Sequence, residues 1–336
     1  MSSTQPADRD RQAQRRRAGA EVTRGIEAEI EACHQLSALR RGLEVSFFIA
    51  LYLAGAAWVV FAAEPVGFKL LGIILMGVAM NSLGILIHEG LHGLLAKDRR
   101  WNHLFGFLCG LPLLISATAY RATHSDHHFE FGRQRDYGTY RQHLDNKYFV
   151  WMAYFSQLLL GSIIYVLLIP VLAWRTASWR TRAWIATEYA GIAAIMALFV
   201  HFAALTTVLT FWVYPSLVLM VLSNIRGLAS HALGDLDNIY LSSRTVKTSR
   251  LVEILFLHEN YHLEHHLFPQ IPSYNLKRAH ALVWHRLPEA LYAKSYLAFL
   301  VLFFKAAIKL DLSPAGRVQP AQSGPASKVP AAYETT

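Results

Sequence analysis

The chain has 336 residues, enough for two soluble domains or one membrane domain. Its composition favours the membrane domain, because 54% of the residues are apolar and only 16% are charged, against about 25% charged in ordinary globular domains. The net charge of +9 is compatible with a nucleic acid, an anionic membrane surface or an acidic protein partner, whereas two cysteines, Cys33 and Cys109, exclude a disulfide scaffold, a cysteine-rich zinc domain and a self-contained iron–sulfur cluster.

The N-terminal part of the chain divides into a polar segment and two apolar stretches. Residues 1–41 are rich in arginine and predict a basic N-terminal tail, not a secretory signal, because no cleavage site follows an apolar core. Val45–Ala63 and Phe68–Ile87 are nearly free of charge, and each is long enough to cross a bilayer core of about 30 Å. Together they predict a transmembrane hairpin with a short outer turn at residues 64–67.

Two further uncharged runs, Tyr148–Trp174 and Tyr189–Ile225, follow later in the chain. The second run would be about 55 Å long as one helix, too long for one span, so it predicts a hairpin that turns near Ala204–Thr207. Tyr148–Trp174 would then lie in the interface or re-enter, which keeps the arginines between residues 175 and 182 on the cytoplasmic side, as the positive-inside rule prefers. The alternative is one crossing by each run, with these arginines exported.

The predicted fold is therefore an all-α integral membrane protein. It has about four transmembrane helices in two hairpins and a cytoplasmic helical cap, within a membrane domain at residues 45–310. Residues 311–336 are rich in proline, alanine, serine and glycine and predict a disordered C-terminal tail. The basic residues fall in the tails and cytoplasmic loops, so membrane topology explains the charge. We predict no nucleic-acid partner, because no folded basic module is visible.

Histidine is enriched, and eight of the sixteen histidines fall in three motifs. Residues 88–92 read HxxxH, and residues 124–128 and 262–266 each read HxxHH. Positions i, i+3 and i+4 share one face of a helix, so each motif presents clustered imidazoles. Imidazole binds Zn, Cu, Fe and Ni, and eight ligands exceed what one tetrahedral zinc can use. The pattern predicts two metal ions that share the ligands His88, His92, His124, His127, His128, His262, His265 and His266.

These motifs, with the longer string N-Y-H-L-E-H-H-L-F-P at residues 260–269, resemble the three histidine boxes of the membrane fatty acid desaturase family. The order, the spacing and the preceding hairpin are similar over residues 45–285. The resemblance implies a non-haem centre of two iron ions, held almost wholly by histidine, with dioxygen as co-substrate. Iron is implied by the resemblance, not by the spacing. The family commonly adds a histidine after the last span, and the candidate here is His231, which would be a ninth ligand.

Residues that support the ligands are expected close to the boxes, because a ligating histidine usually donates its other N–H to a carboxylate or a carbonyl. Glu264 and Asp126, inside the HxxHH motifs, are the preferred candidates. The other carboxylates near the boxes are Glu89, Glu130, Asp136 and Glu259. His258, one turn before box three, is predicted to lie beside the metals rather than to bind them. Asn224 is predicted either to hold a metal-bound water or to be a polar residue near a helix end.

The resemblance predicts an enzyme that uses dioxygen to introduce a double bond into a fatty acyl chain of a lipid or a thioester. The electrons are expected from a separate protein such as a ferredoxin, because neither a cytochrome domain nor iron–sulfur cysteines are visible. Box three begins with His262 rather than the glutamine that front-end desaturases usually carry, which argues against that group. The expected location is a bacterial inner membrane, with multiple spans and the active site on the cytoplasmic side.

Three alternatives differ from desaturation in reaction or class. A hydroxylase or ketolase of an apolar lipid or carotenoid would use the same scaffold, and it begins with the same hydrogen abstraction. A membrane zinc hydrolase would leave most of the box histidines unexplained. A metal transporter would place its ligands near the middle of the bilayer, whereas these boxes lie beyond the predicted spans.

Overall fold

The structure is a computed structural model that describes residues 6–61, 66–129, 132, 136 and 139–322. In chain order its helices are α1 (Pro6–Thr23), α2 (Glu27–Cys33), α3 (Ala38–Phe61), α4 (Val66–Leu91), α5 (Arg99–Gly110), α6 (Ala117–Phe129), α7 (Lys147–Thr176), α8 (Trp179–Phe202), α9 (Leu205–His231, with a π-helical turn at Leu209–Val213), α10 (Arg250–Leu255), α11 (His262–Leu267), α12 (Ser273–Val283) and α13 (Tyr296–Lys309). A small sheet has the order β1 (Arg244–Val246), β2 (Ala290–Ala293) and β3 (Arg317–Val318). Strands β1 and β2 are parallel, and β2 and β3 are antiparallel.

Five helices are long and apolar enough to cross a membrane, by length and composition: α3, α4, α7, α8 and α9. Helices α5 and α6 pass the same test only as a pair, and they are bent by 97° at the break between them. Large apolar side chains such as Phe61, Leu167 and Phe202 are exposed on the long helices, as expected for surfaces that face lipid. The predicted all-α membrane fold is confirmed, with one candidate span more than the four predicted.

Helices α3 and α4 form the first predicted hairpin; of its outer turn, residues 64 and 65 lie outside the described residues. Gly55 and Gly72 allow the two helices to approach closely, since a Cβ atom on Gly55 would lie 2.7 Å from the carbonyl oxygen of Gly72. Gly77 of α4 likewise allows α9 to approach closely, at Val218. Small residues serve this purpose in membrane helix pairs. Helix α4 is therefore held between α3 and α9, and its end carries box one to a fixed position.

The long run Tyr189–Ile225 is interrupted where the backbone of Ala203 and Ala204 becomes extended. Helix α8 ends before this break and α9 begins after it, which agrees with the predicted hairpin near Ala204–Thr207. Helix α7 is one continuous helix despite Pro170 inside it; the side chain of Asn146 caps its start, and the backbone N–H of Ala177 donates to the carbonyl oxygen of Ala173 at its end. The three helices α7, α8 and α9 thus connect box two to His231.

Both ends of the chain pack more closely than expected for tails. Helix α1 places Ala18 and Val22 in a buried cluster with Leu267 and Phe268, which follow box three. At the other end, the backbone N–H of Tyr292 donates to Gly316, and β3 extends the small sheet. The structure therefore places residues 311–322 in the fold, where a disordered tail was predicted. Backbone hydrogen bonds hold this segment, and composition does not reveal them. Residues 323–336 lie outside the described residues.

Candidate metal centre

Histidines from four separate segments meet at one place, at the C-terminal ends of α4 and α9. We define the first cluster as His88, His92, His124, His128 and His265, whose ligand nitrogens all lie within 4.8 Å of one another. We define the second cluster as His127, His231, His266 and His262; the first three lie within 4.8 Å of one another, and His262 Nε2 lies 2.9 Å from His231 Nε2. All nine predicted ligands are thus brought together, His231 included.

Each HxxHH motif contributes to both clusters. On α6, His124 and His128 join the first cluster, whereas His127 joins the second. On α11, His265 lies with the first cluster, where its Nε2 is 3.1 Å from His128 Nε2. The second cluster is closed by His266 on the same helix. The two short helices therefore hold the clusters side by side.

The hydrogen bonds of the outer ring nitrogens show which nitrogen carries the proton in the second cluster. His127 Nδ1 lies 2.9 Å from Asp136 Oδ1, His231 Nδ1 lies 3.2 Å from the carbonyl oxygen of Ser242, and His262 Nδ1 lies 3.3 Å from Glu259 Oε2. Because these oxygens accept hydrogen bonds, Nδ1 is the protonated nitrogen and Nε2 keeps its lone pair. The lone pairs of the second cluster therefore face one another.

This arrangement fits metal ions. Burial lowers the pKa of His262, His265 and His266, so these imidazoles are neutral near pH 7 and available as ligands. Facing lone pairs repel unless a cation lies between them. Two nitrogens at about 2.1 Å from one ion, at a right angle, lie about 3.0 Å apart, and the Nε2 pairs of the second cluster are separated by 2.9–3.2 Å. The five imidazoles of the first cluster exceed the four ligands of a zinc site.

Glu259 lies between the two clusters. It is buried, with Oε1 3.3 Å from His88 Nδ1 and Oε2 3.3 Å from His262 Nδ1. Burial by itself raises the pKa of Glu259, but the electrostatic interaction with His88 and the hydrogen bond from His262 hold this pKa well below its usual range. One ionised carboxylate therefore faces the outer nitrogen of a histidine from each cluster.

Asp136 has the corresponding position for His127. Its side chain is fully buried, and Oδ2 accepts hydrogen bonds from the backbone N–H of Gly132 and from Thr139 Oγ1. The carboxylate is therefore held in place while Oδ1 receives the Nδ1 proton of His127. No helical spacing relates Asp136 to box two, so the sequence does not single out this carboxylate. Glu259 precedes His262 by three residues, about one helical turn, and this spacing could have indicated it.

Glu264, one of the two carboxylates that were preferred from the sequence, has contacts other than those predicted. Glu264 accepts hydrogen bonds from Thr245 and His280, at 2.7 Å and 2.6 Å, and none of its contacts in the described structure is with a box histidine. The reason is helical geometry, because the middle position of HxxHH lies on the face opposite the three histidines. Asp126 has the same relative position in box two and is half-buried on α6. Glu130 lies outside the described residues, and Glu89 accepts hydrogen bonds from Arg41 and Ser273.

His258 and Asn224 also have contacts other than those predicted. The ring of His258 stacks beside Tyr261, with centroids 6.4 Å apart, and belongs to neither cluster. Asn224 Oδ1 accepts hydrogen bonds from the backbone and side chain of Ser162, and its amide donates to the carbonyl oxygen of Leu158. Asn224 therefore ties α9 to α7, which positions His231, and its oxygen is already used by this helix contact.

Comparison with known proteins agrees with this geometry. The family described as fatty acid desaturase matches residues 65–298, which include all nine histidines. The chain is 28% identical over 255 residues to the Delta(5) fatty acid desaturase fat-4 of Caenorhabditis elegans, and the match covers 62% of this chain and 56% of that protein. It is also 28% identical over 259 residues to the dihydrorhizobitoxine desaturase of Bradyrhizobium elkanii, covering 70% and 72% respectively. Because the family match extends over more than half of its length, the chain belongs to the fatty acid desaturase family.

Proposed function

We propose that this protein is an oxygen-dependent di-iron oxidoreductase that introduces a double bond into a fatty acyl chain of a lipid or thioester. The observation that carries the proposal is the pair of histidine clusters, five imidazoles beside four, with facing Nε2 atoms in the second. Membership of the family supports iron as the metal. Iron, when bound, supplies the activation of dioxygen and the abstraction of hydrogen from an unactivated C–H bond.

Different residues of the chain would hold the metal ions, orient the ligands and limit the access of solvent. The first cluster holds one metal ion and the second cluster holds the other. Asp136, Glu259 and the carbonyl oxygen of Ser242 keep the Nδ1 protons of their histidines in place, and so direct Nε2 toward the metals. On the side toward water, Arg15 of α1 donates a hydrogen bond to the carbonyl oxygen of His128. Helix α1 therefore restricts direct access of solvent to the first cluster.

The substrate and the reductant would approach from different sides. The apolar helices carry exposed surfaces that suit an acyl chain from the bilayer. Electrons would come from a separate carrier such as a ferredoxin. A bacterial inner membrane, with the centre on the cytoplasmic side, is the location that fits this arrangement. One relative is named for dihydrorhizobitoxine rather than for a fatty acid, so that compound belongs in the substrate panel beside acyl lipids and thioesters.

The test is anaerobic iron loading of the full-length protein, followed by turnover with a reduced ferredoxin and a panel of acyl substrates. We expect two iron ions per chain and dioxygen consumption that matches the double bonds formed. Saturation at one metal ion, or activity with zinc, would contradict the di-iron proposal. A hydroxylated product from the same preparation would instead assign the protein to the hydroxylases of this scaffold.

We infer the membrane topology from the closeness of box two and His231. Their nitrogens approach to 3.2 Å, at His127 and His231, so the chain between them crosses the membrane an even number of times, although it contains three long helices. The start of α7 packs in a buried cluster with Leu228 and Leu233, and its end packs with Ala119, close to box two. These contacts favour α7 as the helix that stays on one side.

We therefore expect the loop between α7 and α8 to be cytoplasmic. A cysteine at the exposed position Arg180, in a variant whose Cys33 and Cys109 are replaced by serine, should resist a membrane-impermeant thiol reagent in intact cells. The same cysteine should react after the membrane is permeabilised. Labelling of this cysteine in intact cells would instead support one crossing by each run, with the arginines exported.

A further inference from the structure

Arg226 is an arginine in the interior of the bundle whose hydrogen-bonding capacity is largely unused. It lies on α9 five residues before His231, about 7.5 Å along the helix axis, and its side chain is only 17% exposed. A guanidinium carries five N–H donors. Among the described residues its one ionic partner is Glu259, at 4.0 Å from Nη1, and Nε is buried without a hydrogen bond.

Glu259 does not fully satisfy this guanidinium. The distance of 4.0 Å exceeds that of a hydrogen bond, and the two carboxylate oxygens already face His88 and His262. Burying a charge that lacks good partners is costly. Arg226 is therefore placed to receive a further acceptor, and only one carboxylate separates it from ligands of both clusters.

The surroundings of Arg226 are polar on one side and apolar on the other. Tyr120 on α6 and Tyr296 at the start of α13 are close enough to interact electrostatically with both Arg226 and Glu259. The ring of Tyr120 also contacts His124 of the first cluster, with centroids 5.6 Å apart. One turn before Arg226, Leu222 packs against the buried apolar cluster that contains Leu86. A ligand at this point would meet one cation, two phenols and an apolar wall.

We propose that Arg226 binds the oxygen-bearing head group of the substrate, a carboxylate or an ester or thioester carbonyl, beside the metal centre. This assignment rests on the proposed function. A guanidinium offers two parallel N–H donors to such oxygens, and the apolar wall accepts the first methylenes of the chain.

The test measures binding rather than turnover. The full-length protein in lipid nanodiscs is titrated with dodecanoic acid, its methyl ester and dodecane, and the three dissociation constants are compared. The wild-type protein should prefer the acid over the alkane by at least about tenfold, the usual effect of a hydrogen bond to a charged group. Arg226→Gln should remove most of this preference and leave the affinity for dodecane unchanged. If Arg226→Gln weakens the binding of the methyl ester as much as that of the acid, the bound group is the carbonyl. If it weakens the binding of the acid alone, the bound group is the carboxylate.

Two further variants control the experiment. Arg180→Gln changes an exposed arginine at the start of α8 and should keep the full preference for the acid. Arg226→Lys keeps the charge but loses the paired donors, so it should keep part of the preference even if Arg226→Gln folds poorly. The proposal is overturned if Arg226→Gln keeps the wild-type preference, or weakens the acid and the alkane equally, as a structural counter-ion of Glu259 would. The experiment measures binding and not turnover. Its result can therefore be interpreted even if the protein does not desaturate the substrates.

Discussion

Replacement of His231 by alanine is expected to remove one of two iron ions and to abolish activity. His231 is central to the second cluster, because its Nε2 lies 3.2 Å from that of His127 and 2.9 Å from that of His262. Without it three imidazoles remain there, while the five of the first cluster are untouched. Metal analysis after anaerobic reconstitution should fall from two iron ions per chain to one. The loss of activity should exceed the roughly 100-fold that changes around a metal ligand cost.

His258→Ala is the matched control for this experiment. His258 is also close to box three, but it lies beside Tyr261, in a left-handed backbone conformation with φ of 61°. Burial lowers its pKa to about 4, so the ring is neutral and no charge is lost on replacement. We expect this variant to keep both iron ions. The assignment of the ninth ligand is wrong if His258→Ala loses iron while His231→Ala retains two ions.

Replacement of Glu259 by glutamine is expected to weaken metal binding at both clusters. The carboxylate faces His88 of the first cluster and His262 of the second, and a glutamine has one oxygen to accept where Glu259 has two. Its amide group would face one of the two Nδ1 atoms instead. The expected loss is about 10–100-fold in metal affinity or activity. An iron titration that follows the two binding steps separately should show both steps shifted.

Two other substitutions serve as controls for Glu259→Gln. Asp136→Asn should shift only the second step, because Asp136 contacts His127, a histidine of the second cluster. Glu264→Gln changes a carboxylate of box three whose partners are Thr245 and His280. It should lower the free energy of unfolding by about 1–3 kcal/mol and leave iron affinity unchanged. If Glu259→Gln shifts only one step, the carboxylate does not act on both clusters.

The histidine positions were predictable because they depend on local geometry. Spacings of three and four residues place side chains on one helix face whatever the rest of the fold, so the eight box histidines are visible in the sequence. The same rule, applied fully, would have excluded Glu264, since the middle residue of HxxHH lies on the opposite face. Asp136 could not be found this way, because it follows His127 by nine residues, which is no helical spacing, and hydrogen bonds from Gly132 and Thr139 hold it in place.

The membrane helices were also predictable, but their mutual arrangement was less so. Apolar length identifies the candidate spans α3, α4, α7, α8 and α9, and an overlong run predicts a break. Neither signal says that α7 packs against α9 through Asn224, or that residues 311–322 add a strand to the small sheet. These features depend on hydrogen bonds between segments distant in sequence. Likewise, no spacing indicates which cluster each histidine of an HxxHH motif joins.

The division of each HxxHH helix between the two clusters has a consequence for the order of assembly. Four histidines of the first cluster precede residue 130 in the chain, whereas the second cluster takes three of its four from residue 231 onward. Neither cluster is complete until α11 docks, since this helix of six residues supplies His265 to one and His262 and His266 to the other. The last ligands of both sites thus arrive in a single event late in synthesis. Complete metal loading is therefore a marker of finished folding rather than an early step that nucleates it.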